Sequence, residues 1–453
     1  MLPLALGLSL RLFLLYHHPH FNGDTMIYGD IAKNWLRHGV YGQSDGNSFY
    51  ATMIRMPGYP AFMAACFTLF GMENYFWVLV MQVIFDMLAC VMLAAAAKKL
   101  FSARAGMAAL WLSSLCLFTS TYVVVGLAES LSVFCTAWAI YALVLWRESL
   151  LQNENRKTWL HLASLACALI AAVFLRPDNG LITASLLPAV FWIAWKRVGL
   201  KRAVSSLLLC SIIFLVPLVP WTIRNKRAFG LFQPLSPRQA NDPDEFVTYG
   251  FNLWCSTWEV DYASTEEVYW APQINSIDIN DLPARAFDSP QQREETAAII
   301  SQYNDGVANG TADTPEVDAK FMALAKQRIH THPLRSRVLL PLARVANMWL
   351  RPRVEQYDYD LHWWNYPDHP QETLTALALG ALNIFYLALA IVGWVRLQRH
   401  DAILLGLAAF IVLRCLLLYT LDNSEPRYTI VCFPILFLLG AAAFLRRENS
   451  AAQ

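Results

Sequence analysis

The feature that most restricts this chain is a series of ten long apolar runs, at residues 2–16, 75–97, 105–121, 123–146, 158–175, 179–195, 203–220, 373–395, 402–420 and 429–445. A hydrocarbon layer of about 30 Å takes about 20 apolar residues of helix to cross. Nothing in it satisfies an unpaired backbone group, so such runs cross as helices. Only 15% of the residues are charged, against about a quarter in soluble domains. The expected fold class is an all-α polytopic membrane protein with about ten transmembrane helices. The net charge of +1 gives no basis for nucleic-acid binding; the expected first partner is the lipid bilayer.

Orientation follows from the basic residues. The loops 98–104, 147–157, 196–202 and 396–399 and the pair Arg446–Arg447 carry compact Lys/Arg clusters. The positive-inside rule makes all of them cytoplasmic, which ten spans with both termini inside satisfy. Residues 2–16 lack the basic start and the cleavage site of a signal peptide. They read as the first span, although short of the roughly 20 residues a span needs, which leaves open whether Met1 is the true start.

Two polar stretches interrupt the pattern, both on the external side. Residues 17–74 form the first external loop of an N-terminal transmembrane module, 1–220. Within it, the short apolar segment 57–71 (PGYPAFMAACFTLFG) reads as an interfacial or re-entrant helix opened by its prolines. Residues 221–372 are expected to form a small external domain, followed by C-terminal membrane helices in 373–453. An amphipathic helix is expected at 315–330, and a helix in the headgroup layer at 334–350. Only Cys255 lies in this polar region, so it holds no internal disulfide, and no C-x-x-C spacing suggests a metal site.

The residues with chemical potential gather on that external face. Asp24 follows the first run; an acid there can act as a general base or ligate a divalent cation, or be an ordinary solvated aspartate. Glu129 stands inside an apolar run, where an ionisable group is costly and marks a function or a structural pair with an arginine. Arg55, Arg176, Arg224 and Arg427 each sit at the edge of an apolar segment. Singly they read as snorkelling residues; as a set they suit a lipid-linked phosphate, which needs planar, permanently charged donors. Tyr28, Tyr59, Asp178 and Tyr428 stand beside these groups and are read as substrate-binding. Deeper in the membrane, Asp86 and Gln82 read as structural. His17, His18 and His20 have a loose metal-like spacing and read as ordinary loop histidines ahead of a metal site. Trp221, Trp349, Trp363 and Trp364 read as an aromatic belt, and Asn309 opens a glycosylation sequon.

An ordered series of motifs then resembles a known family. Asp-x-x-x-Tyr-x-x-Ile-Ala-x-Asn-x-x-x-His-Gly-x-Tyr from Asp24 to Tyr41 and Arg-x-Pro-Gly-Tyr-Pro at 55–60 resemble the first external loop of type C membrane glycosyltransferases. The similar branch comprises protein O-mannosyltransferases, the lipid A aminoarabinose transferase and the lipopolysaccharide galacturonosyltransferases. Leu-Ala-Glu-Ser at 127–130, Arg-Pro-Asp at 176–178, Pro-Trp-Thr-Ile-Arg-Asn at 220–225 and Glu-Pro-Arg-Tyr at 425–428 continue the resemblance. It implies transfer of a sugar from a polyprenyl-phosphate donor, with inversion, on the extracytoplasmic face of what is expected to be a bacterial inner membrane. Asp24 then matches the catalytic aspartate and Glu129 the second acidic position; Arg176 and Arg427 match positions near the donor phosphate. Many members carry paired acids in the first loop, whereas Thr25 follows Asp24 here, which counts against a two-carboxylate metal site; a divalent cation at Asp24 stays open. The acceptor, whether lipid, glycan or protein, is not indicated. The rival readings are a flippase or transporter of lipid-linked sugars and a non-catalytic assembly subunit. A transporter should carry polar residues through the membrane depth and internal repeats; here only Asp86, Gln82 and Arg414 lie deep, and no repeat is present.

Overall fold

The computed structural model describes residues 2–21, 23–270, 276–309, 314–397 and 400–445. Arg399, Arg446 and Arg447 of the basic clusters, and Gly310 and Thr311 of the sequon, lie outside the described residues. Each of the ten apolar runs is largely helical among the described residues. Among the described residues, seven helices are long and apolar enough to cross a membrane, and a bent pair makes an eighth. The first and last runs form shorter apolar helices, Leu2–His17 and Pro426–Ala442. The chain is an integral membrane protein.

It divides into two compact units. The first comprises Met1–Pro243, Ile384–Leu413 and Ile430–Gln453. It opens with α1 (Leu2–His17), α2 (Gly23–His38) and a hairpin of β1 (Gly42–Asp45) and β2 (Ser48–Ala51). Then come α3 (Gly58–Phe70), α4 (Tyr75–Leu100), α5 (Ala103–Ser114) and α6 (Leu117–Val123). The long helices α7 (Ala128–Leu151), α8 (Asn155–Leu175) and α9 (Gly180–Val198) precede α10 (Leu200–Leu215) and α11 (Leu218–Phe229).

The run at 105–121 is a single span by sequence, but the structure breaks it after Ser114, and α5 and α6 meet at 53°. The break frees carbonyls in an apolar setting, which only another donor can satisfy. Arg11 of α1 supplies it. Its guanidinium donates to the carbonyls of Ser114 (2.7 Å) and Gly7 (2.9 Å) while Nε meets Asp86 of α4 at 2.5 Å. A Cβ on Gly7 would fall 2.8 Å from Ser114 Cβ, so glycine lets α1 approach closely enough for this. Asp86 is thus a structural partner.

The next run also starts later than its hydropathy indicates. Residues 124–127 are not helical; Gln82 Nε2 donates to the carbonyls of Val123 and Val125, both at 2.8 Å, and His20 N–H to that of Val124 at 3.0 Å. With those groups satisfied, α7 begins at Ala128 and Glu129 falls in its first turn.

The second unit comprises Asp244–Asn383 and Arg414–Thr429. Its core gathers Phe251, Trp254, Trp258, Phe321 and Leu324. Two helices start on a capping residue followed by proline, Ser289-Pro290 and Thr314-Pro315, the hydroxyls accepting from Gln292 N (3.1 Å) and Val317 N (3.3 Å). This is the N-cap and N1 preference expected of those residues. The amphipathic helix expected at 315–330 spans Pro315–Thr331. Its Asp318 takes the N–H groups of Gly250 and Phe251, both at 2.9 Å, and so caps a neighbouring helix. Arg328 is fully buried, yet four protein oxygens, those of Thr257, Ala286, Gln292 and Arg285, accept from it.

Candidate functional site

The site begins where α2 begins. Asp24 lies in the first turn of that helix, where the helix dipole favours an anion, and its Oδ1 is 2.6 Å from Arg55 Nη2. Thr25, beside it, is fully buried and packs on Gly126; a Cβ there would lie 2.3 Å from Thr25 Cγ2. The position after Asp24 therefore faces the protein interior, where a carboxylate would be buried.

The turn bearing Arg55 is held just as closely. Gly58, at the start of α3, lies against the end of α8, where a Cβ would come 2.5 Å from the Phe174 carbonyl. Two residues on, Arg176 caps α8. Its Nη1 is 2.6 Å from Glu129 Oε1 and its Nε 3.1 Å from Asp178 Oδ1. The short turn Pro177–Asn179 is fixed by Asn179, whose amide donates to Ser132 Oγ (2.9 Å) and the Ala172 carbonyl (3.0 Å).

Tyr28 stands among both ion pairs. The Arg55 guanidinium lies 5.8 Å from its ring centroid, and Asp24, Glu129 and Arg176 all act electrostatically on its phenol. Burial is the largest influence and pushes that phenol up to about 12, so it is a neutral donor at physiological pH. Tyr59 packs edge-on against Tyr28 with ring centroids 4.8 Å apart. It has no exposed surface, and its hydroxyl donates to Gln82 Oε1 at 2.8 Å, a supporting place beneath Tyr28.

Arg224 occupies a different part of the unit. The sequence places it beyond its span, whereas the structure puts it inside α11, which Pro217 and Pro220 open without breaking because proline is tolerated in a first turn. Its guanidinium donates to the carbonyls of Thr52 (2.7 Å) and Tyr41, and lies 5.2 Å from the Tyr41 ring. It clamps the backbone of the first loop around the hairpin.

The structure thus brings together Asp24, Tyr28, Arg55, Glu129, Arg176 and Asp178. Arg427 and Tyr428 belong to the second unit. There Arg427 Nε lies 3.7 Å from Glu425 Oε2, and the Tyr428 carbonyl accepts from Arg414 at 2.7 Å. Residues that sequence reasoning did not single out also shape the site. Asp30 takes the N–H (2.6 Å) and hydroxyl (2.9 Å) of Ser44 and so docks the hairpin on α2. Asp242 accepts from Met53 N at 2.8 Å. Gly126 was signalled only by a glycine closing a valine run.

Among the described residues, no three His, Cys, Asp or Glu side chains are grouped to hold a metal ion. The carboxylates of Asp24 and Glu129 each face a guanidinium instead. This donor set does not fit a resident divalent cation.

Comparison with solved structures now decides the architecture. The oligosaccharyltransferase AglB from Archaeoglobus fulgidus, in complex with an inhibitory peptide and a dolichol-phosphate, matches over 98% of this chain with a TM-score of 0.52. The fold is that of the type C membrane glycosyltransferases. Sequence identity to that structure is 12%, and the chain spans about half the length of the AglB chain (49%). The apo form of the same archaeal enzyme gives a TM-score of 0.51 at 13% identity, covering 97% of this chain and 49% of that one. ArnT from Cupriavidus metallidurans, bound to undecaprenyl phosphate, matches less well, with a TM-score of 0.40 at 13% identity over 98% of this chain and 77% of its own. No protein-family model and no curated protein sequence matches the chain. Within the type C fold, Asp24 lies on the first loop, between α1 and α4, and Glu129 at the head of α7.

Proposed function

We propose that this protein is a membrane glycosyltransferase that moves a sugar from a polyprenyl-phosphate carrier to a hydroxyl of an extracytoplasmic acceptor, with inversion at the anomeric carbon. The observation that carries the reading is the pair of arginine-held carboxylates, Asp24–Arg55 and Glu129–Arg176, converging around Tyr28 on a type C fold. The dolichol-phosphate bound by AglB supports a lipid-phosphate donor here.

In this mechanism Asp24, partly exposed beside its loop, accepts the proton of the acceptor hydroxyl as that oxygen attacks the anomeric carbon. A positioned base of this kind contributes about 10²–10⁴-fold. The bond from the anomeric carbon to the phosphate oxygen breaks, and the leaving phosphate gains charge. Arg55 and Arg176 stand ready in fixed positions to take up that charge, which favours the transition state over the ground state. Glu129 and Asp178 hold Arg176 in place, and Tyr28 offers a neutral hydroxyl to the sugar. Arg427 and Tyr428 are assigned to donor and substrate contacts on the motif resemblance alone. No step is routed through a metal ion.

The transporter reading has less support. The deep polar residues are engaged within the scaffold: Asp86 by Arg11 (2.5 Å), Gln82 by Val123, Val125 and Tyr59, and Arg414 by the Tyr428 carbonyl (2.7 Å).

The test uses full-length protein in lipid nanodiscs with a panel of polyprenyl-phosphate sugars and envelope extracts as acceptors. Mass spectrometry follows release of free polyprenyl phosphate in wild type and Asp24→Asn. Release that disappears in the variant supports the reading and names the sugar. Equal release from both removes Asp24 as the base, and no release from any donor overturns the transferase reading.

A further inference from the structure

The second unit contains a partly open cavity of about 110 Å³ between the segment that follows Arg351 and the stretch around Tyr262. Tyr262, Tyr357, Tyr359 and Trp363 contribute to its walls, with the rings of Tyr357 and Tyr359 5.5 Å apart. The carboxylates of Glu266, Glu355 and Asp360 and the guanidinium of Arg351 share the lining.

Two donors in this lining lack a protein acceptor. Arg351 lays its guanidinium on the Tyr262 ring, 4.5 Å from the centroid, and its Nε donates to the Pro352 carbonyl at 3.1 Å. Its Nη1, with no accessible surface of its own, has no hydrogen-bond partner. Trp363 Nε1 is enclosed in the same way and is also unpartnered. Buried polar groups are nearly always paired, so two orphan donors on side chains that line one cavity require a reason.

The lining chemistry narrows the occupant. Glu355 is paired with Arg353 at 3.4 Å, which leaves the carboxylates of Glu266 and Asp360 against one guanidinium, an excess of negative charge that disfavours a phosphate or any other anion. A purely apolar molecule would leave both donors unpaired at full desolvation cost. The described carboxylates are not grouped to chelate a metal ion. A neutral polyol ring answers these features: its oxygens accept from Arg351 and Trp363 once those side chains turn toward the space, its hydroxyls donate to the carboxylates, and its C–H face lies on an aromatic ring. We propose that this cavity binds a neutral sugar ring, a hexose or N-acetylhexosamine unit of a glycan. The proposal stands on the cavity alone and does not depend on the transfer reaction assigned to the first unit.

The experiment is saturation-transfer-difference NMR on the full chain in nanodiscs, with the methyl glycosides of glucose, galactose, mannose and N-acetylglucosamine as probes. At least one glycoside should take up saturation on its ring C–H protons. That uptake should fall by about tenfold in Arg351→Met and in Trp363→Ala, as expected for losing a buried hydrogen bond to a charged or enclosed donor. Trp364→Ala removes a half-exposed ring outside the lining and should leave uptake unchanged. Because truncation at Trp363 can disturb folding, Trp363→Phe and Arg351→Lys serve as milder variants that keep the ring or the charge, and both should bind at reduced strength. No uptake from any glycoside, or equal uptake in every variant, overturns the proposal. Displacement of the glycoside by tetramethylammonium also overturns it, since the cavity would then be an ammonium cage. Asp24→Asn should retain uptake whatever its effect on transfer, so failure of one idea is distinguishable from failure of the other.

Discussion

Glu129 and Glu259 are both almost sealed from water, with 5% and 0% of their surfaces exposed, yet their surroundings differ in kind. Glu129, in the first unit, meets a guanidinium at 2.6 Å. Glu259, in the second, receives only neutral donors on its carboxylate: the Thr265 hydroxyl at 2.5 Å and the Ser424 N–H at 3.1 Å. Arg344 donates to the Glu259 backbone carbonyl instead, at 3.1 Å. Burial therefore dominates and pushes the Glu259 carboxyl up to about 8, against the smaller opposing influence of Thr265 and Arg344. One glutamate is kept in an ion pair and the other is kept as a neutral acid. The lesson is that burial alone does not set the candidate site's glutamate apart; its charged partner does.

The largest effect that would sharpen this contrast is in catalysis. Asp24→Asn should lower polyprenyl-phosphate release by about 10²–10⁴-fold, while Glu259→Gln should leave the rate within a factor of about two, since a neutral acid and an amide differ little in charge. A comparable loss in both variants would dissolve the distinction.

Stability gives the next test. Arg176→Met strands the Glu129 charge in a buried place and should cost about 3–5 kcal/mol, read as a fall in thermal unfolding temperature in nanodiscs. Adding Glu129→Gln to it should restore much of that loss. If the single variant melts like wild type, the ion pair is not what holds the head of α7.

Gly126→Ala probes the packing beneath Asp24. The new methyl would collide with Thr25, whose Cγ2 lies 2.3 Å from the required position, at an expected cost of about 1–3 kcal/mol. Activity should fall with it, and Thr25→Ser in the same chain should recover part of both.

The smallest effect per step is in pH dependence. Between the ordinary glutamate value near 4.5 and about 8, folded Glu259 holds a proton that the unfolded chain has lost. Stability from this group is thus fully present at low pH and declines as pH rises through that window, by at most about 1.4 kcal/mol per unit, levelling off above about 8. Melting temperatures measured from pH 5 to 8 should show this decline in wild type, and Glu259→Gln should flatten it. A Glu259→Gln profile that parallels the wild-type one would show that this group does not carry the decline.

Much of the candidate site was legible in the sequence because it violates its surroundings. A glutamate in a valine-rich run and an arginine ending an apolar helix are expensive in a membrane, so Glu129 and Arg176 announced themselves, although not as each other's partner. The ten helical runs were readable for the same reason, from hydropathy alone. What the sequence hid was set by distant pairing. The late start of α7 depends on Gln82 and His20 satisfying carbonyls at 123–125, and nothing local in Val-Val-Val-Gly marks it. The hairpin at 42–51 lacks an alternating apolar face; it is fixed by Asp30 reaching Ser44 and by Arg224, which arrives 172 residues later at Thr52.

The Arg11–Asp86 pair also bears on how the protein is made. When α1 leaves the ribosome, Asp86 and the broken α5–α6 helix do not yet exist, and a lone arginine at the middle of a span costs about 2.5–3.5 kcal/mol at insertion. The first helix should therefore dwell at the translocon or the membrane surface until α4 and α5 arrive, and settle only as a group. Chains halted before Asp86 should be substrates for membrane proteases, and an Asp86→Asn chain, translated in full, should be degraded faster than one altered at Asp24, because only the former fails an assembly step.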